Sequence, residues 1–261
     1  MKYLVVNSDD MGFCHSVNLG IVRGFTSGIL TEASIMAPCP WFEEAAAFAA
    51  THRIPVGVHL TATCDFDHYR WRPLTAARSW VEKDGTFPSH VETVQERADR
   101  GELEAEFAAQ IEAVLAHGIQ PIHLDAHMGI IDTDVLARLC RRYHLRSPHG
   151  DLYDLAKLHP DVVFPFASPM RSSSGDADAD HKKTEFLRWL GTLCDGWHYC
   201  AVHLAEPSSE LDSLASRTHP AWNWTQPYRA TDLQVICDPE VRQRCHDLGI
   251  QLASLRDFPA V

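Results

Sequence analysis

The stretch Val5-Val-Asn-Ser-Asp-Asp-Met-Gly12 decides the fold, because an apolar run ends there in two adjacent carboxylates and a glycine turn. Interior parallel strands are nearly continuous apolar segments, and ligand sites in α/β proteins lie beyond their carboxyl ends. We therefore expect a buried strand over Lys2 to Ser8 that delivers Asp9 and Asp10 to a site. Side chains alternate along a strand, which predicts that the two carboxylates point in different directions and take different roles. An Asp-rich turn that caps the following helix is the alternative.

Composition and charge narrow the class of protein. The chain has 261 residues and a formal net charge of −12 at pH 7, which suits one large α/β domain over residues 1–261 and argues against nucleic acid or an anionic membrane as main partner. The N-terminal apolar run is too short for a signal peptide, and no stretch approaches the roughly 20 apolar residues of a membrane span. Eight cysteines form no CxxC pair, which predicts reduced thiols in a cytoplasmic protein.

Short apolar runs alternate with helical stretches, a pattern typical of parallel β/α units. The predicted strands are Lys2 to Ser8, Thr31 to Ala37, Val56 to Thr61, Pro121 to Ala126, Val162 to Phe164, Tyr199 to Leu204 and Gln251 to Ser254. The predicted helices are Ser16 to Thr26, Trp41 to Ala50, Val91 to His117, Thr133 to Tyr143, Lys183 to Asp195 and Pro239 to Leu248. Two segments fit no regular element. Cys64 to Ser89 is expected to be a binding loop or lid, and Ser168 to Asp180 a surface loop.

The segment Pro121-Ile-His-Leu-Asp-Ala-His127 carries three ionisable side chains. His123, Asp125 and His127 recur at a period of two, which places them on one face of a strand. Such groups are costly on a buried strand unless they bind a cation or hydrogen-bond one another. The spacing predicts a metal or catalytic site, with a hydrogen-bonded polar cluster as the alternative.

Two further apolar runs carry a histidine near their end. His59 lies in Val56-Gly-Val-His-Leu-Thr61, and His203 lies in Tyr199-Cys-Ala-Val-His-Leu-Ala-Glu-Pro207. Either histidine alone is more typical of a satisfied core residue than of a ligand. However, four separate β/α units now deliver Asp or His at a strand end, where barrel enzymes build their sites. Carboxylate and imidazole ligands suit a divalent metal such as zinc, so the sequence predicts a metallohydrolase on a β/α barrel.

The chain resembles the YdjC-like, or chitooligosaccharide deacetylase-like, family, which is related in fold to the NodB-type polysaccharide deacetylases. The resemblance extends nearly from end to end. The matching residues are Asn7-Ser-Asp-Asp-Met-Gly12, Asn18, Gly20, Gly28-Ile-Leu-Thr31, Gly57-Val-His-Leu60, His123-Leu-Asp-Ala-His127, Asp238-Pro-Glu-Val-Arg242, and Gly249-Ile-Gln-Leu through Leu255-Arg-Asp257.

The resemblance implies a distorted (β/α) barrel of about seven units and metal-dependent removal of the acetyl group from an N-acetylated sugar or oligosaccharide. It implies one divalent ion, zinc or magnesium, held by Asp10, His59 and His127. In such an enzyme Asp9 is the general base on the metal's water. His203 then protonates the departing amine, a role assigned from its strand-end position.

The resemblance also gives roles to the neighbours of these ligands. Asp125 and His123 are expected to orient His127 or to tune Asp9, and an exchange of roles between Asp10 and Asp125 stays open. Arg146, expected at another strand end, and Arg229, in an aromatic stretch, are candidate contacts to the sugar.

Two rival functions remain at this stage. The first is a metallophosphoesterase on a similar barrel, and the second is a sugar-binding protein of this fold without turnover. The expected partner is a small carbohydrate, with neither nucleic acid nor membrane, and a homo-oligomer is left open.

Overall fold

The computed structural model describes residues 1–130, 132–148, 166–167, 178–214 and 226–258; for residues 166, 167 and 226 it describes the backbone alone. The predicted strand Val162 to Phe164 lies outside these residues, as do residues 168–177 of the predicted surface loop. The remaining end of that loop already belongs to a helix, which begins at Ala179.

Within the residues just named, seven parallel strands in one sheet form the centre of the protein. They are β1 (Lys2–Met11), β2 (Glu32–Ile35), β3 (Val56–Leu60), β4 (Leu124–Ala126), β5 (Phe166–Ala167), β6 (Gly196–Val202) and β7 (Ile250–Leu252). Their order is β4-β3-β2-β1-β6-β5, and β7 pairs with the start of β1. Because all these pairs are parallel, the carboxyl ends of the strands share one edge of a half-barrel. The predicted α/β class is confirmed.

Helices connect and cover these strands. They are α1 (His15–Ser27), α2 (Phe42–His52), α3 (Val91–Arg97), α4 (Arg100–Ala116), α5 (Thr133–Tyr143), α6 (Ala179–Leu190), α7 (Ser209–Ser213), α8 (Gln226–Ile236) and α9 (Pro239–Asp247). Short 3₁₀ turns cover His127–Gly129 and Leu255–Asp257. Within the described ranges, no helix has the length and apolar character needed to cross a membrane.

The prediction of one helix from Val91 to His117 is wrong, because the helix breaks at Ala98 and Asp99. The Asp99 side chain accepts hydrogen bonds from the backbone N–H groups of Gly101 and Glu102, at 2.9 and 3.0 Å, and so starts a second helix. Two helices, α7 and α8, were not predicted. The second contains Pro227 near its start and is only weakly amphipathic in its sequence pattern.

The central strand β1 explains the apolar run from which the fold was predicted. Every residue from Leu4 to Met11 is buried, since β6 pairs along one side of β1 from Lys2 to Ser8, and the other side of β1 pairs with β7 at its start and with β2 at its end. Helix α1 then packs back against the connection that follows β6. There the Glu206 N–H donates to the Ser16 carbonyl at 2.9 Å, which joins the two β/α units at the carboxyl edge.

Two glycines of α1 allow this close approach in different ways. A Cβ atom on Gly20 would lie 2.5 Å from Ala205 Cα and 2.7 Å from its backbone nitrogen. A Cβ atom on Gly24 would lie 2.5 Å from Leu204 Cδ1, the tip of a side chain that can rotate away. The backbone at Ala205 cannot move away in the same manner. A Cβ atom should therefore be less well tolerated at Gly20 than at Gly24, although both lie in one helix.

We expect Gly20→Ala to lower the free energy of unfolding by about 1–3 kcal/mol, because it overpacks α1 against backbone. In Gly24→Ala a helix-propensity gain of about 1 kcal/mol offsets the displacement of Leu204, so stability should change by less than about 1 kcal/mol. Urea denaturation of both variants measures the difference. Equal destabilisation would show that backbone contact at Ala205 is not the cause.

Candidate metal centre

The end of β1 is irregular, and this irregularity determines where its two carboxylates point. Ser8 pairs with Ala33 and Met11 with Ile35, so β1 contains one more residue than β2 over this interval. Asp10 adopts the left-handed conformation, with φ of 70°. As a result both carboxylates reach His59, but they point in different directions: Asp10 also lies against His127 and Asp9 against His203.

Neither aspartate caps the following helix. The residue at the N-cap of α1 is Cys14, whose side chain makes no capping hydrogen bond, and the Ser16 N–H of the first turn donates to Glu210 Oε2 at 3.0 Å. The Asp10 backbone carbonyl does accept a hydrogen bond from the Phe13 N–H at 3.0 Å, which closes the turn. The two carboxylate groups are therefore available to the site.

Three buried side chains from three different strand ends converge on one point: Asp10 at the end of β1, His59 in β3 and His127 after β4. Asp10 Oδ1 lies 3.4 Å from His59 Nε2 and 3.3 Å from His127 Nδ1, and these two nitrogens are 3.3 Å apart. Ligand atoms bonded at about 2.0–2.1 Å to one tetrahedral ion are about 3.3–3.4 Å from each other. This trio could hold a metal ion.

The outer nitrogen of each imidazole contacts a carboxylate. His59 Nδ1 is 2.9 Å from Asp125 Oδ1, and His127 Nε2 is 2.7 Å from Asp65 Oδ1. A proton on each outer nitrogen leaves a lone pair on each inner nitrogen, aimed at Asp10 Oδ1. Among the described residues, no hydrogen bond of normal geometry reaches that oxygen. Three converging lone pairs repel one another unless a cation lies between them, so the residues fit a divalent metal.

The second oxygen of Asp10 is held by Arg229, which extends from α8. Arg229 Nη2 donates to Asp10 Oδ2 at 2.7 Å, and both side chains are almost fully buried. Burial opposes a charge on Asp10, but the Arg229 guanidinium, together with protons on the inner nitrogens of His127 and His59 when no metal is bound, outweighs it and holds the pKa of this carboxyl well below its usual range. The structure thus places Arg229 against the predicted ligand, and its contact with sugar stays a prediction.

Asp9 lies beside this trio and faces His203. Asp9 Oδ2 is 3.6 Å from His203 Nε2, and Asp9 Oδ1 accepts a hydrogen bond from Asn7 Nδ2 at 2.7 Å. Burial raises the pKa of Asp9 to about 7; the His59 charge opposes this shift, whereas the neighbouring carboxylates of Asp125 and Asp10 add to it. A carboxyl group with such a pKa can take up and release a proton near neutrality.

His123 and Asp125 lie on the far side of His59. Asp125 contacts His59 rather than His127. The prediction that Asp125 orients His127 is therefore corrected: the histidine it orients is His59. His123 is completely buried, 3.5 Å from Asp125 Oδ2 and 3.4 Å from Glu32 Oε1. Gly57 makes room for it, because a Cβ atom there would lie 2.3 Å from His123 Nε2. Burial opposes charge on Asp125, but His59 and His123 outweigh it and lower its pKa.

Sequence reasoning missed the residue that contacts His127. Asp65 belongs to the irregular segment Cys64 to Ser89, where no regular element forms, as predicted. That segment is fastened to α4: Glu106 accepts hydrogen bonds from the Thr75 N–H and hydroxyl at 2.9 and 2.7 Å, and Glu102 accepts one from the Ser79 N–H at 2.8 Å. The length of the loop was the only sequence feature that pointed to Asp65.

Arg146 is not brought to the trio. It pairs in a β-bridge with His123, the residue just before β4, and its Nη1 donates to the Phe258 carbonyl at 3.1 Å. Its guanidinium also lies 4.9 Å from the centre of the Phe258 ring. This position is near the amino end of β4, so a role for Arg146 in substrate binding stays a prediction.

Comparisons with known proteins agree with this architecture. A model of the YdjC-like protein family matches residues 3–247. Carbohydrate deacetylase of Geobacillus stearothermophilus is 31% identical over 263 residues, which cover 98% of either chain. Chitooligosaccharide deacetylase of Yersinia enterocolitica is 34% identical over 282 residues, which cover 98% of this chain and 99% of the relative.

Two solved structures share the fold. A protein from Enterococcus faecalis V583, described as a proposed cellobiose-phosphate cleavage protein, superimposes with a TM-score of 0.80 at 23% identity and covers 99% of both chains. A family 4 carbohydrate esterase from Streptomyces lividans gives a TM-score of 0.51 at 12% identity, over 100% of this chain and 97% of the esterase. At these identities the likeness concerns the fold, and it confirms the predicted barrel-type class.

The buried pair of Arg229 and Asp10 generates a prediction on stability. We expect Arg229→Met to lower the free energy of unfolding by about 3–5 kcal/mol, because it leaves the Asp10 carboxylate buried without its partner. Urea denaturation with a chelator present measures this loss without the contribution of a bound ion.

The matched control is Arg23→Met. Arg23 pairs with Glu206 at 3.1 Å on the surface, where its side chain is 51% exposed, so the loss should stay within about 1 kcal/mol. Similar losses in the two variants would contradict a buried charge pair at Asp10.

Proposed function

The chain belongs to the YdjC-like protein family, and from that premise we propose that it is a metal-dependent carbohydrate deacetylase. It hydrolyses the N-acetyl group of an N-acetylated sugar or oligosaccharide. The convergence of Asp10, His59 and His127 beside Asp9 carries this proposal. Alignment over 98% of the chain with relatives named carbohydrate and chitooligosaccharide deacetylase supports the substrate class.

In this proposal Asp10, His59 and His127 hold one divalent ion. When bound, the ion supplies Lewis acidity that polarises the acetyl carbonyl and makes water a stronger acid. Two imidazoles with one carboxylate favour zinc over magnesium, since magnesium prefers oxygen ligands and octahedral geometry with about 2.9 Å between neighbouring ligand atoms. The contact between Asp125 and the outer nitrogen of His59 supports Asp10, rather than Asp125, as the carboxylate ligand.

Asp9 acts as the general base. Its carboxylate takes the proton of the water that attacks the acetyl carbonyl carbon, and Asn7 keeps it oriented through the 2.7 Å hydrogen bond. The role suits Asp9 because it flanks the trio without belonging to it, although with His59 and Asp125 it forms a second group whose ligand atoms lie within 4.8 Å of one another.

His203 acts as the general acid. As the C–N bond breaks, its electron pair stays on the sugar nitrogen, which takes a proton from the His203 imidazolium; acetate and a free amine are the products. Because His203 Nε2 lies 3.6 Å from Asp9 Oδ2, base and acid border the same space. That proximity also lets a proton accepted by Asp9 return His203 to its acidic form.

The metallophosphoesterase and the sugar-binding protein without turnover have less support. A phosphoesterase favours several metal ions and basic side chains near them, whereas Arg229, the guanidinium at the trio, is occupied by Asp10. A binding protein has no need of a base and an acid that face each other. We also propose a cytoplasmic location, supported by eight free cysteines of which six are buried.

Replacement of the base tests the chemistry. Asp9→Asn should retain its metal and lose hydrolysis by about 10²–10⁴-fold, because the amide accepts no proton from water. The measurements are metal content and acetate release from N-acetylated mono- and oligosaccharides, with phosphate esters assayed beside them. Asp134→Asn, at an exposed aspartate in α5, should match the native protein. Undiminished acetate release by Asp9→Asn would remove Asp9 from the mechanism, and phosphate release without acetate would favour the phosphoesterase.

Metal affinity tests the ligand set separately. His59→Ala and His127→Ala should each abolish zinc retention through dialysis, whereas Asp65→Asn should weaken zinc binding by about 10- to 100-fold, since the amide is a poorer partner for His127 Nε2. Titration of the metal-free protein with zinc against a competing chelator measures all three. Full zinc occupancy in both histidine variants would rule out the site as assigned.

A further inference from the structure

We propose that the buried ion pair between Lys182 and Asp232 positions His203 for proton transfer to the leaving amine. The proposal rests on the deacetylation proposed above, in which His203 is the acid. Neither Lys182 nor Asp232 touches the metal trio, and the mechanism gives neither of them a chemical step. Both charged side chains are nevertheless buried, where a charge costs free energy unless it is paired.

Asp232 contacts both the backbone of His203 and the side chain of Lys182. Its Oδ2 accepts a hydrogen bond from the His203 backbone N–H at 3.1 Å, and its Oδ1 lies 2.5 Å from Lys182 Nζ. The Lys182 and Asp232 side chains are each 1% exposed. A buried carboxylate that accepts from a backbone N–H fixes the peptide next to it more firmly than a neutral acceptor would. Here that peptide belongs to His203, just after the end of β6.

Lys182 extends from α6 and fixes a second neighbour of His203. Its Nζ donates to the Tyr228 carbonyl at 2.8 Å and lies 3.7 Å from the centre of the Tyr228 ring. The Tyr228 ring in turn lies edge-on to the His203 ring, at 6.2 Å between ring centres. One ammonium group therefore holds both the carboxylate that anchors the His203 backbone and the aromatic ring that packs beside its imidazole.

Helix α8 extends the same support to the metal ligand. It carries Tyr228 and Asp232, which contact His203, and also Arg229, which holds Asp10. Arg229 and Asp232 are three residues apart, so they project from neighbouring positions on one face of the helix. A single rigid element thus sets the position of the acid relative to the metal ligand, and Lys182 fastens that element to α6.

A fully buried charge must not be left alone, because an unpaired variant could fail to fold. The test therefore compares two double variants that are both neutral: Lys182→Met with Asp232→Asn, and Lys182→Met with Asp232→Leu. Asn keeps an oxygen that accepts from the His203 N–H, whereas Leu has a similar size and no acceptor. The difference between them isolates the bond to His203 from the loss of the ion pair.

Two substrates report on the acid. The N-acetylglucosamine disaccharide has an amine leaving group that needs a proton, whereas 4-nitrophenyl acetate has a leaving group that departs without one. We expect the Leu variant to show a kcat on the disaccharide about 100-fold below that of the Asn variant, a loss typical of a misplaced catalytic group. KM, zinc content and turnover of the aryl ester should differ by less than about 3-fold.

The variant His203→Ala provides the reference. It should also lose activity on the disaccharide and not on the ester, and in its background the Asn and Leu variants should become equal, because the group that Asp232 positions is gone. An equal loss on both substrates, a loss of zinc, or a difference that persists without His203 would overturn the positioning role.

Failure of the underlying function has its own outcome. If the native protein, loaded with zinc, releases acetate from neither substrate, both proposals are wrong. If it deacetylates the disaccharide and His203→Ala loses the amide and the ester equally, deacetylation stands and the role of the Lys182–Asp232 pair is overturned.

Discussion

The left-handed backbone at Asp10 is the constraint on which the site depends. A non-glycine residue in this conformation costs about 1–3 kcal/mol, and it persists only where its surroundings fix it. Here the Phe13 N–H donates to the Asp10 carbonyl at 3.0 Å, and Arg229 holds the side chain. With the extra residue in β1, Asp9 and Asp10 both reach His59, while Asp10 also lies against His127 and Asp9 against His203. A regular strand would send one of them away from the site.

Charge balance explains why so many ionisable groups share this edge of the sheet. Among the described residues, four buried or nearly buried aspartates surround the two imidazoles of the trio, and one guanidinium, that of Arg229, lies against one of them. The four are Asp9, Asp10, Asp65 and Asp125. A divalent cation at the trio would offset part of this negative charge. Asp65 and Asp125 orient the two histidines from outside, and this orientation favours binding of such a cation.

The sequence predicted the elements with strong local patterns and missed those set by tertiary contacts. The apolar run of β1 and the period of two in His123, Asp125 and His127 predicted the strand ends, because burial and alternation leave a direct trace in sequence. The convergence of Asp9 and Asp10 on His59 could not be predicted, since it depends on one extra residue in the pairing of β1 with β2. Asp65 was missed because nothing local marks a loop carboxylate that meets a histidine 62 positions away.

Helix α8 was likewise not predicted from the sequence, and its contacts help to explain how the acid and the metal ligands are held relative to one another. The ligand side chains come from the ends of β1, β3 and β4, which lie in one part of the sheet in the order β4-β3-β2-β1, with β2 between β3 and β1. His203 directly follows β6, which pairs with β1 on the side away from β2. Helix α8 contributes to holding both groups, because its Asp232 accepts from the His203 N–H while its Arg229 donates to Asp10. One helix without a strong sequence pattern therefore ties the acid to the metal ligands, which strand pairing alone leaves on opposite sides of the central strand.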